Sequence, residues 1–181
     1  DFPQGLFYGG DGPSATHRIL AQHYPRWLGG SERVLHLDLH TGLGPWGTYK
    51  LLVDHPMSPA QERWRAHHYG AKAYECHGAS GVAYTTRGSF GLWGASRMQG
   101  RDYLYAAAEF GTYRAVRVLA ALIAENQCHH WATDARVARE RAKRKLVEAF
   151  CPRSERWRAR ALEQGVQLLE KAVEGLLSPV P

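Results

Sequence analysis

The stretch VLHLDLHTGLGPWG, Val34 to Gly47, begins as a strand and ends as a turn. Val34, Leu35, Leu37 and Leu39 form an apolar run, and Thr41-Gly42-Leu43-Gly44-Pro45 then supplies residues that do not continue a central strand. His40 is therefore expected at a strand's end. In α/β folds the loops leaving the carboxyl ends of the strands line the open crevice, which is where ligands and catalytic groups collect. His36, Asp38 and His40 alternate and so share one face. They do not make a three-ligand metal site on their own. Same-face neighbours two apart stand nearly 7 Å from each other, too far to converge on one ion about 2 Å from each.

A second apolar run ends on a polar group in the same way. In YLYAAAEF, Tyr103 to Phe110, Glu109 follows Leu104 and three alanines, and Gly111-Thr112 breaks the run. A carboxylate at the tip of a buried strand is costly unless it is paired, coordinated or catalytic. Ahead of the first run, Ser14 or Thr16 can cap a helix through Ile19, Leu20 and Tyr24, ended by Pro25 and Gly29-Gly30. Between the two runs the expected elements are a strand from Tyr49 to Val53, a helix from Pro59 to Tyr69 capped by Ser58, and a short strand from Ala71 to Cys76. Gly78 to Gly100, with six glycines, reads as a long polar loop. Three helices finish the chain: Tyr113 to about Trp131, Ala135 to Phe150 before Pro152, and Glu155 to Leu177. In the last, Leu162, Val166, Leu169, Val173 and Leu176 recur every three or four residues, a stripe expected to cover a sheet or another helix.

At 181 residues and 44% apolar composition the chain suits one domain, residues 1–181, with a genuine core. No apolar run approaches the roughly 20 residues of a membrane span, and the N-terminus lacks a signal-peptide pattern. Cys76, Cys128 and Cys151 are odd in number and far apart, which fits reduced buried thiols and a cytoplasmic setting rather than a disulfide framework. The net charge of +6 is regional: from Arg136 to Arg160 there are ten Lys and Arg against three Glu, and the remainder is near neutral. Interleaved with Val137, Ala142, Leu146, Val147 and Phe150, these cations read as the wet face of amphipathic helices. A phosphate-tracking patch is the alternative, and stacking aromatics are sparse there. His67-His68 and His129-His130 fall on helices, where adjacent residues diverge by about 100° and do not chelate as pairs.

LDLHTGLGPWG (Leu37 to Gly47), AEFGTY (Ala108 to Tyr113) and the leading GLFYGGDGPS (Gly5 to Ser14) together resemble an uncharacterised bacterial branch of the zinc carboxypeptidase superfamily. These are domain-of-unknown-function relatives of the carboxypeptidases and of the succinylglutamate desuccinylase and aspartoacylase deacylases. The resemblance continues through AENQ, AFCP and ERWRARALEQG, over essentially the whole chain. It implies an α/β/α fold around a mixed sheet, with one zinc held by an HxxE pair and a later histidine, and a strand-borne glutamate as general base. On that match His40 corresponds to the zinc histidine and Glu109 to the base, with Asp38 or Thr41 fixing the histidine's tautomer. The expected activity is zinc-dependent hydrolysis of a peptide or N-acyl amino acid amide bond.

None of the ten histidines has Glu three residues later, so the HxxE pair is not in this sequence. The chain is accordingly expected to be the C-terminal half of the family's domain, completed by an N-terminal half or partner chain, and not to hold zinc tightly or hydrolyse anything alone. Two other readings stand beside this one. One is a non-catalytic binding or assembly module, pairing through an open sheet edge or presenting its basic helical face to nucleic acid or another anionic partner. The other is a different metal site built from His40 with His77 or Glu109. Within the Gly78 to Gly100 loop, Tyr84, Arg87 and Trp93 are the candidate specificity surface, and Arg87 is the candidate for gripping a substrate carboxylate.

Overall fold

The run at Val34 becomes β1, Arg33–Gly42, and the run at Tyr103 becomes β4, Asp102–Gly111. Both strands are longer than their apolar cores. In this computed structural model, which describes residues 2–76, 88–132 and 135–178, β2 is Tyr49–Val53 and β3 is Tyr74–Cys76. The sheet has the order β1-β4-β2-β3. It is mixed: β1 runs parallel to β4, β4 antiparallel to β2, and β2 parallel to β3. Among the described residues β1 has a neighbour on one side only.

Among the described residues six α-helices accompany the sheet: α1 Ala15–Leu28, α2 Pro59–Tyr69, α3 Phe90–Arg97, α4 Ala115–Trp131, α5 Arg136–Phe150 and α6 Glu155–Leu177. Trp64 and Tyr69 of α2, with Trp157 and Leu168 of α6, pack on Leu51, Val53, Leu104, Ala106, Ala108 and Phe110. Tyr24 of α1, with Phe90 and Trp93 of α3 and with Met98, packs against Val34, Tyr103 and Tyr105 on the opposite face. Side chains alternate across a strand, so odd positions of β4 serve one layer and even positions the other. The α4–α5 pair sits at the sheet's end, where the Thr112 hydroxyl lies 2.8 Å from the carbonyl of Gly42 and 2.6 Å from that of Ala149.

Several helix boundaries follow their capping chemistry. Ser14 accepts from the His17 N–H, and Ser58 with Gln61 forms a reciprocal capping box, both donors being orphans of a helix's first turn. Pro25 does not end α1. The helix carries it and closes at Gly29, whose φ of 57° only a residue without Cβ adopts cheaply. Ala71 to Ala73 is a 3-10 turn, so β3 is half its expected length.

Residues 88–100 are not loop throughout, because α3 occupies Phe90–Arg97 under a Ser89 cap. Its glycines are points of close packing. A Cβ on Gly91 would collide with Asp54 and Tyr105, and one on Gly94 with Tyr103. Cys151 is exposed and Cys128 half-buried, against the expectation of buried thiols. No helix among the described residues is long and apolar enough to cross a membrane.

The largest correction concerns α6. Leu162, Val166, Leu169, Val173 and Leu176 are between 37% and 71% exposed, while Trp157, Leu168, Ala172 and Gly175 face inward. The reason is close approach: the Trp64 indole donates to the Gly175 carbonyl at 3.0 Å, and a Cβ at Gly175 would strike Trp64 and His68. The small-residue stripe therefore turns toward α2, and the bulkier one, about 100° around the helix, is left in water.

Candidate functional site

Pairing of β1 with β4 sets His40 directly opposite Glu109, two residues before both strands end. Parallel partners in register point to the same face, so imidazole and carboxylate emerge together beside the Gly42–Gly47 turn. Asp38, two residues back on the same face, bonds Nε2 of His40 through Oδ2 at 2.9 Å. Tyr105 donates its hydroxyl to the same Oδ2 at 3.1 Å, which fixes the carboxylate from the neighbouring strand. Thr41 stands on the other face, in register with Phe110, so between Asp38 and Thr41 it is Asp38 that meets the ring.

Glu109 is held by the turn that follows β1: the Leu43 N–H donates to its Oε1 at 2.9 Å. Lys50 is in register with Glu109 from β2, yet its ammonium reaches away to the Lys72 carbonyl at 2.6 Å and toward Glu75 at 3.9 Å. Burial pushes the Glu109 carboxyl above its ordinary value, and the Leu43 N–H and the His40 charge offset part of that rise. The hydrogen bond that His40 donates to Asp38 raises the imidazole, helped by the charges of Asp38 and Glu109 and opposed by burial. Asp38 in turn is held low, first by its bond to His40. Both shifts run upward, the carboxyl's by burial and the imidazole's by its carboxylate partner, so Glu109 titrates closer to neutral pH than an ordinary carboxyl and His40 above an ordinary imidazole, as groups that exchange protons do.

Deeper on the same face lies a cluster that the sequence reading passed over. His36 Nδ1 is 2.8 Å from the Tyr24 hydroxyl and 2.9 Å from that of Tyr103, and the two hydroxyls are 2.9 Å apart. The His36 ring meets Phe90 edge-on at 4.7 Å, and burial lowers its pKa. Half-buried Asp54 and buried His55 lie beyond, the Asp54 Oδ1 and His55 Nδ1 atoms 3.7 Å apart. The signal was available in YLYAAAEF, where Tyr103, Tyr105 and Glu109 hold alternate positions and so must share a face. Arg87, His77 and Tyr84 lie outside the described residues, and Trp93 packs with α1 rather than on a loop.

With Nε2 held by Asp38, Nδ1 is the ring nitrogen His40 has to offer a metal. It is one ligand. Among the described residues no group of three or more His, Cys, Asp and Glu side chains is placed to hold a metal ion, so the donor set does not by itself fit zinc, which takes three protein ligands in a catalytic site. The rings of His67 and His68, and of His129 and His130, stand 88° to each other and do not converge.

A family model described as a protein of unknown function (DUF2817) matches residues 1–164. No curated protein and no solved structure matches the chain.

Proposed function

The chain belongs to the DUF2817 family, and from that premise we propose that it carries one side of a zinc-dependent hydrolase site for a peptide or N-acyl amino acid amide bond. The observation that carries the reading is the register of His40 with Glu109 at the carboxyl ends of two parallel strands. The resemblance of DLHTGLG and EFGT to the zinc carboxypeptidase superfamily assigns those two residues their parts.

Glu109 is the general base and then the general acid. Its Oε1 is taken by the Leu43 N–H, so Oε2 receives a proton from the attacking water and returns it to the leaving nitrogen. Burial brings the carboxyl nearer to the pH at which that exchange is efficient. Asp38 keeps the proton of His40 on Nε2 and leaves Nδ1 as the nitrogen that would bind a metal. Zinc, were it held there by Nδ1 of His40 and ligands from a further segment, would supply Lewis acidity toward the scissile carbonyl.

The remaining ligands come from a polypeptide segment seated on the edge of β1 that has no neighbour among the described residues, on the side of His40 away from Glu109. Two features favour that placement. The edge strand is ten residues long with an exposed Leu39, and the exposed stripe of α6 reaches it where Leu176, Leu35 and Arg33 line a cavity of about 240 Å³. A long unprotected edge beside an uncovered apolar stripe is a surface that folded proteins normally cover.

The test is release of free amine from N-acyl amino acids and short peptides, measured with zinc for the protein as it is isolated from cells. Activity lost in both Glu109→Gln and His40→Ala supports the assignment. Turnover that survives either substitution removes it.

A further inference from the structure

We propose that the groove between α4 and α5 is a binding site for a compact oligophosphate, a function separate from the His40–Glu109 site and independent of the hydrolase reading. Arg117 of α4, Arg141, Arg144 and Lys145 of α5, and Arg153 just beyond it line a groove of about 710 Å³. That volume is in the range of small-molecule sites, roughly 300–1,000 Å³. Its floor is alanine: Ala120, Ala121 and Ala124 of α4 leave room where larger side chains would have closed the helix pair.

Five cations face one carboxylate across this space, and the carboxylate is already occupied. Glu148 accepts from the Tyr113 hydroxyl at 2.5 Å and from the Arg153 N–H at 3.1 Å. Arg117 is set in place by stacking at 3.6 Å over the Tyr113 ring, and Arg144 meets Glu140 only loosely, at 3.8 Å. Like charges gathered on facing walls repel unless an anion sits between them, so the groove is arranged for a ligand of several negative charges.

Chemistry and reach narrow the class. Four of the five cations are Arg, whose planar fork pairs two phosphate oxygens at once. Arg141 and Lys145 are one turn apart on α5, about 6 Å along the axis, the span of two or three linked phosphates rather than of a nucleic-acid backbone. Among the described residues no aromatic side chain lines the groove, and the neighbouring Tyr113 ring is covered by Arg117, so the stacking platform that single strands use is not offered there. The shared ligand chemistry is an oligophosphate chain, carried by a nucleoside triphosphate or free in solution.

Calorimetric titration of the purified protein at 150 mM salt with sodium tripolyphosphate, ATP, sulfate and a 20-nucleotide single strand separates these sources. One saturable tripolyphosphate site is expected, with sulfate weaker by about tenfold or more for want of linked charges. Arg141→Gln with Lys145→Gln should weaken binding about tenfold, and Arg136→Gln, outside the groove, should leave it unchanged. All three positions are exposed, so unaltered circular dichroism is expected. ATP equal to tripolyphosphate identifies the bare chain of phosphates, and ATP tighter identifies a nucleotide. No saturable binding, equal loss from Arg136→Gln, or a single strand that binds tighter and displaces tripolyphosphate would overturn the proposal, the last in favour of nucleic acid.

Discussion

Asp38 takes Nε2 of His40 at 2.9 Å from two residues upstream on the same strand, and this bond decides which ring nitrogen remains available. It also sets the charge of the ring. In Asp38→Asn the strongest influence raising the imidazole is gone, and burial, which lowers it, remains. The His40 ring signal followed by NMR should titrate above 6.5, the ordinary value, in the native chain and at or below 6.5 in the variant. The linkage has a definite sign. A raised histidine contributes stability that is fully present below 6.5 and is lost as the pH rises through the folded value. Asp38, held low, contributes stability that is present above 3.8 and is lost as the pH falls through its own folded value. Urea midpoints measured across both windows should show losses at the two ends that Asp38→Asn abolishes.

Glu109→Gln keeps shape and the Leu43 contact while removing the proton acceptor. If the carboxylate moves the proton, turnover should fall about 10²- to 10⁴-fold, with urea stability little changed. Burial raises the carboxyl, so the acid limb of the kcat/KM profile should lie above 4.5, where an ordinary glutamate would put it. A limb at or below 4.5, or unchanged turnover in the variant, takes Glu109 out of the chemistry.

The two strands and their terminal polar groups were legible because strand periodicity is two and needs no tertiary information: His36, Asp38 and His40 had to share a face, as did Tyr103, Tyr105 and Glu109. Their register against each other was not legible, since nothing local to either strand sets which residues pair. Hidden also was α3, whose Gly91 and Gly94 look like loop residues and are in fact where Asp54, Tyr105 and Tyr103 press against the helix. The basic run on α5 reads as a solvated face until α4 is set beside it, because a groove belongs to two helices and to neither sequence alone.

Gly111, two residues past Glu109, is where the turn, β4 and α6 meet. Its carbonyl accepts from the Gly47 N–H at 2.9 Å and from the Trp157 indole at 2.8 Å, and its N–H donates to Thr48 at 2.9 Å. A Cβ there would run into the backbone of Gly44 and Pro45, which cannot swing aside as a side chain can. Gly111→Ala should therefore cost about 1–3 kcal/mol by urea unfolding, as overpacking does, and should disturb the Leu43 contact to Glu109. Gly12→Ala, with open space around its Cβ, is the control and should change little. Equal midpoints for the two variants would mean that the turn yields freely.

The two stripes of α6 make opposite demands, and stability measurements distinguish them. Leu168 is fully buried among Trp157, Phe110 and the sheet, so Leu168→Ala removes burial and leaves a cavity, at about 2–5 kcal/mol. Leu162, at 71% exposed, and Val173, at 56%, touch little of this chain, so Leu162→Gln and Val173→Gln should each stay within about 0.5 kcal/mol. Sequence periodicity alone predicts the reverse ranking, because Leu162 and Val173 belong to the bulkier and more regular stripe. A large loss from Val173→Gln in the isolated chain would show that the aliphatic stripe is the buried one, and with it the placement of α6 against Gly175 and Trp64 would have to be rebuilt.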